Sequence, residues 1–114
     1  MIQIKIVNVP FADICIPSIA ITQLKAVTEA ALGDKVKIDL VYLNHEFAGY
    51  FGVDHYRFIS NSAGANNSGF GDWFFRQEAF PEEADNTAEY LSRYGQLLGM
   101  EYLQKYGAFL QEKR

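Results

Sequence analysis

The stretches IQIKIVNV at 2–9 and KVKIDLVYL at 35–43 decide the fold. Each begins by alternating apolar with polar side chains and then fills in with apolar ones, as a strand does on passing from a half-buried to a fully buried setting. Pro10 ends the first. Between them, Ser18 is placed to cap a helix whose apolar positions Ile21, Leu24, Val27, Thr28 and Ala31 keep to one face. Gly33 stands where a left-handed residue closes a helix. Strand, helix and strand in this order predict a parallel βαβ unit over 1–43.

The remainder, 44–114, reads as helical. Residues 44–51 and 54–61 form two short helices parted at Gly52, and SAGANNSGFG at 62–71 is a flexible loop of small polar residues. Asp72 caps a short aromatic helix, DWFFRQEAF, that Pro81 ends. Asn86 with Glu89 then makes a capping-box-like start to one long helix over 87–112, with the stripe Leu91, Tyr94, Leu98, Tyr102, Lys105 or Tyr106, and Phe109. No segment after Leu43 reads as a strand, so the sheet has two members. A parallel pair alone is marginal and exposes pairing groups on both edges. A second copy, a separate subunit or the rest of a longer polypeptide is therefore expected to complete it. The fold class is α/β, in a single domain or partial domain over 1–114.

With 114 residues there is material for one core and too little for two. A formal charge of −4, with no cluster of Lys or Arg, argues against a nucleic-acid partner. No apolar run is long enough to span a bilayer, and the first residues lack the basic and apolar regions of a signal peptide. Cys15 is the only cysteine, which rules out an internal disulfide and suits a reducing compartment; the cytoplasm is the expected location.

No motif carries complete chemistry. Gly64 and Gly69 have phosphate-loop spacing, but Phe70-Gly71 replaces the Lys-Ser/Thr pair that meets phosphate and magnesium. His45, His55, Glu46, Asp54 and Cys15 lack the spacing that aims two ligands at one ion. Asp13, Cys15, Asp54 and His55 are the residues on which a small enzyme would draw, and they lie in separate segments. Trp73 and Phe74, at a helix start, either anchor a partner or pack onto the core. Gly95 and Gly99, four apart, permit close approach of another backbone.

The order Val7-Asn8-Val9-Pro10-Phe11-Ala12, then Pro17-Ser18 opening a helix to Leu24-Lys25, then Tyr42-Leu43-Asn44 with Phe47-Ala48, resembles the start of radical SAM proteins that mature ribosomally made peptides. Gly71-Asp72-Trp73-Phe74-Phe75 is similar to the W-x-F-type stretch of the same family. The resemblance covers about residues 2–80. It implies an incomplete flavodoxin/Rossmann-like layer, part of an N-terminal domain like the cobalamin-binding domain, set ahead of a radical SAM barrel. Asn8, Pro10, Phe11, Ala12 and Asp13, with Ser18, would then lie at the carboxyl end of the sheet, where open α/β folds hold ligands. Cobalamin is the implied cofactor. The implied partners are a barrel-bearing polypeptide and a precursor peptide, beside a second copy of the chain. The three cysteines of C-x-x-x-C-x-x-C are missing, so the chain cannot run radical SAM chemistry alone. The D-x-H-x-x-G signature of an axial histidine is missing too. The expectation is a non-catalytic cofactor-domain portion or accessory piece. The alternatives are a stand-alone dimerising or partner-binding module and a small enzyme.

Overall fold

A computed structural model describes residues 1–114 and places both strands where the alternation puts them. β1 (Ile2–Asn8) and β2 (Val36–Tyr42) pair in parallel, with Ile2 opposite Val36, Ile4 opposite Ile38 and Ile6 opposite Leu40. These isoleucines, Val36 and Leu40 share one face of the sheet, because register partners in a ladder point the same way. The sheet has no third strand.

Helix α1 (Ile19–Leu32) joins them. The Ser18 hydroxyl accepts the Ile21 N–H at 3.5 Å, which satisfies one of the free donors of the first turn. Gly33, at φ 54°, ends the helix, and a single 3-10 turn, Gly33–Lys35, leads into β2. The face that α1 turns to the sheet differs from the expected one. It packs against β2 through the half-buried Ile21, Lys25, Thr28 and Glu29. Leu24 and Val27 stay 56% and 64% exposed. The reason is polar: Glu29 Oε1 accepts the Ile38 N–H at 3.3 Å, Lys25 Nζ donates to the Ile38 carbonyl, and the two side chains meet at 2.9 Å. Bonds to the strand backbone thus set the rotation of the helix.

After β2 the chain is helical: α2 (Leu43–Phe51), α3 (Val53–Asn61), α4 (Ala63–Asn67), α5 (Phe70–Ala79), α6 (Thr87–Leu98) and α7 (Met100–Lys113). It divides into two compact units, Met1–Arg57 and Phe58–Arg114, so the break falls within α3. In the first unit Val36, Ile38, Ala48, Phe51 and Tyr56 are buried. In the second Ala65, Phe70, Trp73, Phe74, Tyr90, Leu98 and Leu110 are buried.

Three expectations for the second half are corrected. Residues 62–71 are no flexible loop: Ser62 caps α4 by accepting the Ala65 N–H at 3.1 Å, and Gly69, at φ 66°, turns the chain into α5. Ala65 and Phe70 drive this order by burial, which a tally of small polar residues overlooks. The long helix over 87–112 is two helices, because Gly99 takes φ 92° and ψ 116°, which an L-residue rarely adopts. Asn86 makes no side-chain cap; Asp85 does so instead, its carboxylate accepting the Thr87 N–H at 3.1 Å.

Candidate functional site

The β1–α1 loop leaves the carboxyl end of β1 and is shaped by its own short-range bonds. The Ala12 N–H donates to the Val9 carbonyl at 3.1 Å, and Asp13 Oδ1 accepts the Cys15 N–H at 2.7 Å, an Asx turn. Phe11 anchors the loop. Its ring lies 5.5 Å from Phe47, 5.6 Å from Phe51 and 5.3 Å from Tyr56, the first two edge to face. The Ala12 carbonyl is held from below by two side chains, accepting the Tyr56 hydroxyl and, at 3.4 Å, Asn44 Nδ2.

Asn44 and Tyr56 are both fully buried. Burial, with the nearby Asp13 carboxylate adding to it, pushes the Tyr56 phenol up to about 12. Tyr56 therefore remains a hydroxyl donor through the physiological range. Asn44 Oδ1 is a buried acceptor with no hydrogen-bond partner, so the loop floor has an unmet demand for one N–H or O–H donor.

Of the residues singled out in the sequence, Phe11, Ala12 and Asp13 come together here, and Asn8 and Pro10 are half-buried beside them in the chain. Ser18 is committed to the α1 cap, its carbonyl also accepting the Thr22 hydroxyl at 2.8 Å. Asn44 and Tyr56 escaped sequence reading. Asn44 carried one faint signal, a polar residue directly after the apolar run LVYL; Tyr56 carried none beyond its place in an amphipathic helix. Cys15 is exposed, and His55 meets the Phe51 ring edge-on at 6.3 Å. No three His, Cys, Asp or Glu side chains are grouped to hold a metal ion.

Trp73 and Phe74 turn inward, at 4% and 2% exposure. Trp73 stacks on Tyr90 at 4.9 Å, and the Arg114 guanidinium lies 4.5 Å from the Trp73 ring centre. These aromatics fill the core of their own unit. Gly95 is buried, and a Cβ there would stand 3.4 Å from Leu103 Cδ1; it is a packing glycine between α6 and α7, while Gly99 is the break between them.

The sheet itself offers the second feature of note. The outer edge of β2 is covered at Ile38 by Lys25 and Glu29. The outer edge of β1 is bare, with Ile2 64% and Ile4 37% exposed on the apolar face. No helix is long and apolar enough to cross a membrane. No family model matches the chain, and no curated protein or solved structure is significantly similar to it.

Proposed function

We propose that this chain is a non-catalytic, cobalamin-binding-like portion of a radical SAM system that modifies ribosomally made peptides. The observation that carries the reading is the difference between the two edges of the sheet. In a doubly wound layer of order 2-1-3-4-5, the second strand is the border and the first lies inside, paired on both sides. Here the backbone of β2 is closed off at Ile38 by Lys25 and Glu29, as a border is, whereas β1 keeps its outer groups and Ile2 and Ile4 free, as an inner strand awaiting its neighbour does. In such a layer the switch point lies between the first strand and the missing third. The loop from Asn8 to Asp13 leaves the carboxyl end of β1, where that ligand crevice opens.

The donor set suits the implied cofactor in kind. A corrin rim carries amide N–H groups, and the Asp13 carboxylate at this loop is an acceptor of the matching sense, while Asn44 Oδ1 is buried beneath the loop. No histidine of this chain stands in a D-x-H-x-x-G setting, so an axial ligand would come from elsewhere. Reaction chemistry belongs to the barrel-bearing polypeptide and acts on its precursor peptide.

The test is to combine the chain with hydroxocobalamin and the cognate barrel-bearing polypeptide. Co-elution of the two polypeptides and a change in the visible bands of the cofactor are the expected results. If the polypeptides elute separately and the spectrum is that of free cofactor, the reading is rejected.

A further inference from the structure

We infer that the last turn of α7 is a latch hinged at Leu110, which closes over the Trp73 ring through Arg114 and opens, without unfolding of its unit, to bare that ring. The latch uses only residues of Phe58–Arg114 and stands whether or not the cofactor reading holds.

The grip of the latch is a single side chain reaching across to other elements. Leu110 is buried and fixes α7 to the core, while Gln111 and Glu112 beyond it are exposed and Lys113 lies over the Phe109 ring of its own helix. Arg114 Nη1 donates to Asp85 Oδ1 and Thr87 Oγ1, each at 2.6 Å, and the guanidinium covers Trp73. Asp85 is 55% exposed, so water and salt compete for its half of the grip.

The rest of the same side chain works against closure. Arg114 is only 5% exposed, yet its Nε and Nη2 are buried without a hydrogen-bond partner. These two nitrogens make one edge of the guanidinium with near-parallel N–H bonds, so a whole donor fork is withdrawn from water and left unmet. Trp73 Nε1, Gln77 Oε1 and Asn86 Oδ1 are in the same condition. Gln77 reaches the connection between α5 and α6, where its Nε2 donates to the Glu83 carbonyl at 2.8 Å, and Asn86 belongs to that connection. Buried polar groups without partners cost free energy that contact with water removes.

Closure thus gains a cation–π contact and the bonds at Nη1, and loses the hydration of the fork. The two nearly balance, and the turn concerned is a helix end, where fraying starts. Opening breaks no other part of the core: Phe70 stays stacked with Phe74 at 5.8 Å, and Trp73 with Tyr90 at 4.9 Å. What it uncovers is a flat aromatic surface with an indole N–H, backed by a second ring.

A latch and a plain brace respond differently to two substitutions. Asp85→Asn weakens the attraction and keeps a side chain able to accept the Thr87 N–H, so the latch opens while the start of α6 stays capped. Arg114→Met keeps an unbranched side chain to cover Trp73 and deletes the unmet donors, so the latch closes more tightly. A brace would loosen in both.

Trp73 is the only tryptophan, so acrylamide quenching of the full chain's fluorescence reads the latch directly. Exchange of the Gln111–Arg114 amides reads the same opening from the other side. Asp85→Asn is expected to raise both severalfold and Arg114→Met to lower both, while the Phe74 and Tyr90 amides change little. Added salt should raise quenching in the wild type and leave Arg114→Met unmoved. Quenching that rises in both variants, or that Asp85→Asn leaves unchanged, overturns the inference. So does a last turn whose amides exchange no faster than those of Phe74 and Tyr90.

Discussion

The two units solve the same problem in opposite ways. In Phe58–Arg114, helices enclose their aromatics: Trp73, Phe74, Phe70 and Tyr90 are all buried, and the chain returns to lay Arg114 over the Trp73 ring. In Met1–Arg57, the strands and helix are complete as elements, yet Ile2, Ile4, Leu24 and Val27 are left in water. Helices satisfy their backbone internally and need only cover; a strand needs a neighbour for its backbone as well. The difference is one of backbone: the second unit closes helices over Phe70, Trp73, Phe74 and Tyr90, while the first keeps a two-stranded sheet whose β1 edge has no neighbour.

That contrast breaks first at Trp73. Trp73→Ala removes the ring that Tyr90 stacks on and Arg114 covers, and leaves a cavity in a closed core. A loss of about 3–5 kcal/mol is expected in urea unfolding of the chain. The comparable truncation in the first unit, Leu24→Ala, removes a side chain that is mostly in water already and should stay within about 0.5 kcal/mol when measured on the monomer. Equal losses at the two positions would mean that the first unit is as well enclosed as the second.

Gly64 is the next test, and it probes closeness where Trp73 probes volume. A Cβ at this position would overlap the Leu97 carbonyl, so α4 and α6 approach too closely for any side chain between them. Backbone cannot yield as a side chain does. Gly64→Ala is expected to cost about 1–3 kcal/mol in the same assay, through overpacking. Gly33→Ala in the first unit would meet open space but must hold φ 54° and ψ −133°, so a backbone penalty alone remains, about 1–3 kcal/mol.

What was legible beforehand follows the same division. The βαβ unit could be read because period-two alternation and a Ser18 cap are local signals, and so could the shortage of strands. The rotation of α1 could not, since Lys25 and Glu29 look like an ordinary exposed i, i+4 pair until their bonds to Ile38 are seen. In the second half, Gly99 was read as a packing residue because composition records that a glycine is present and not which φ it takes. At the loop, Phe11, Ala12 and Asp13 are legible only through the family resemblance, which sets them at the carboxyl end of the first strand. Asn44 and Tyr56 lie far along the chain from Ala12, and only tertiary structure unites them with it.

Tyr56 gives a small effect and the sharpest view of the first unit's one well-closed region. Tyr56→Phe keeps the ring against Phe11 and deletes only the hydroxyl that donates to Ala12, so about 1 kcal/mol should be lost at neutral pH, with faster exchange of the Ala12 and Cys15 amides. The pH dependence has a definite sign. Folding raises this phenol from 10.0 to about 12, so the folded chain holds the proton more tightly than the unfolded one. Its contribution is complete below pH 10.0 and declines as pH rises toward about 12. An ultraviolet titration should therefore show, as the difference between wild type and Tyr56→Phe, one tyrosine ionising well above the ordinary range. A difference spectrum centred at the ordinary value would mean that the loop does not shield Tyr56, and that the region beneath Ala12 is as open as the outer edge of β1.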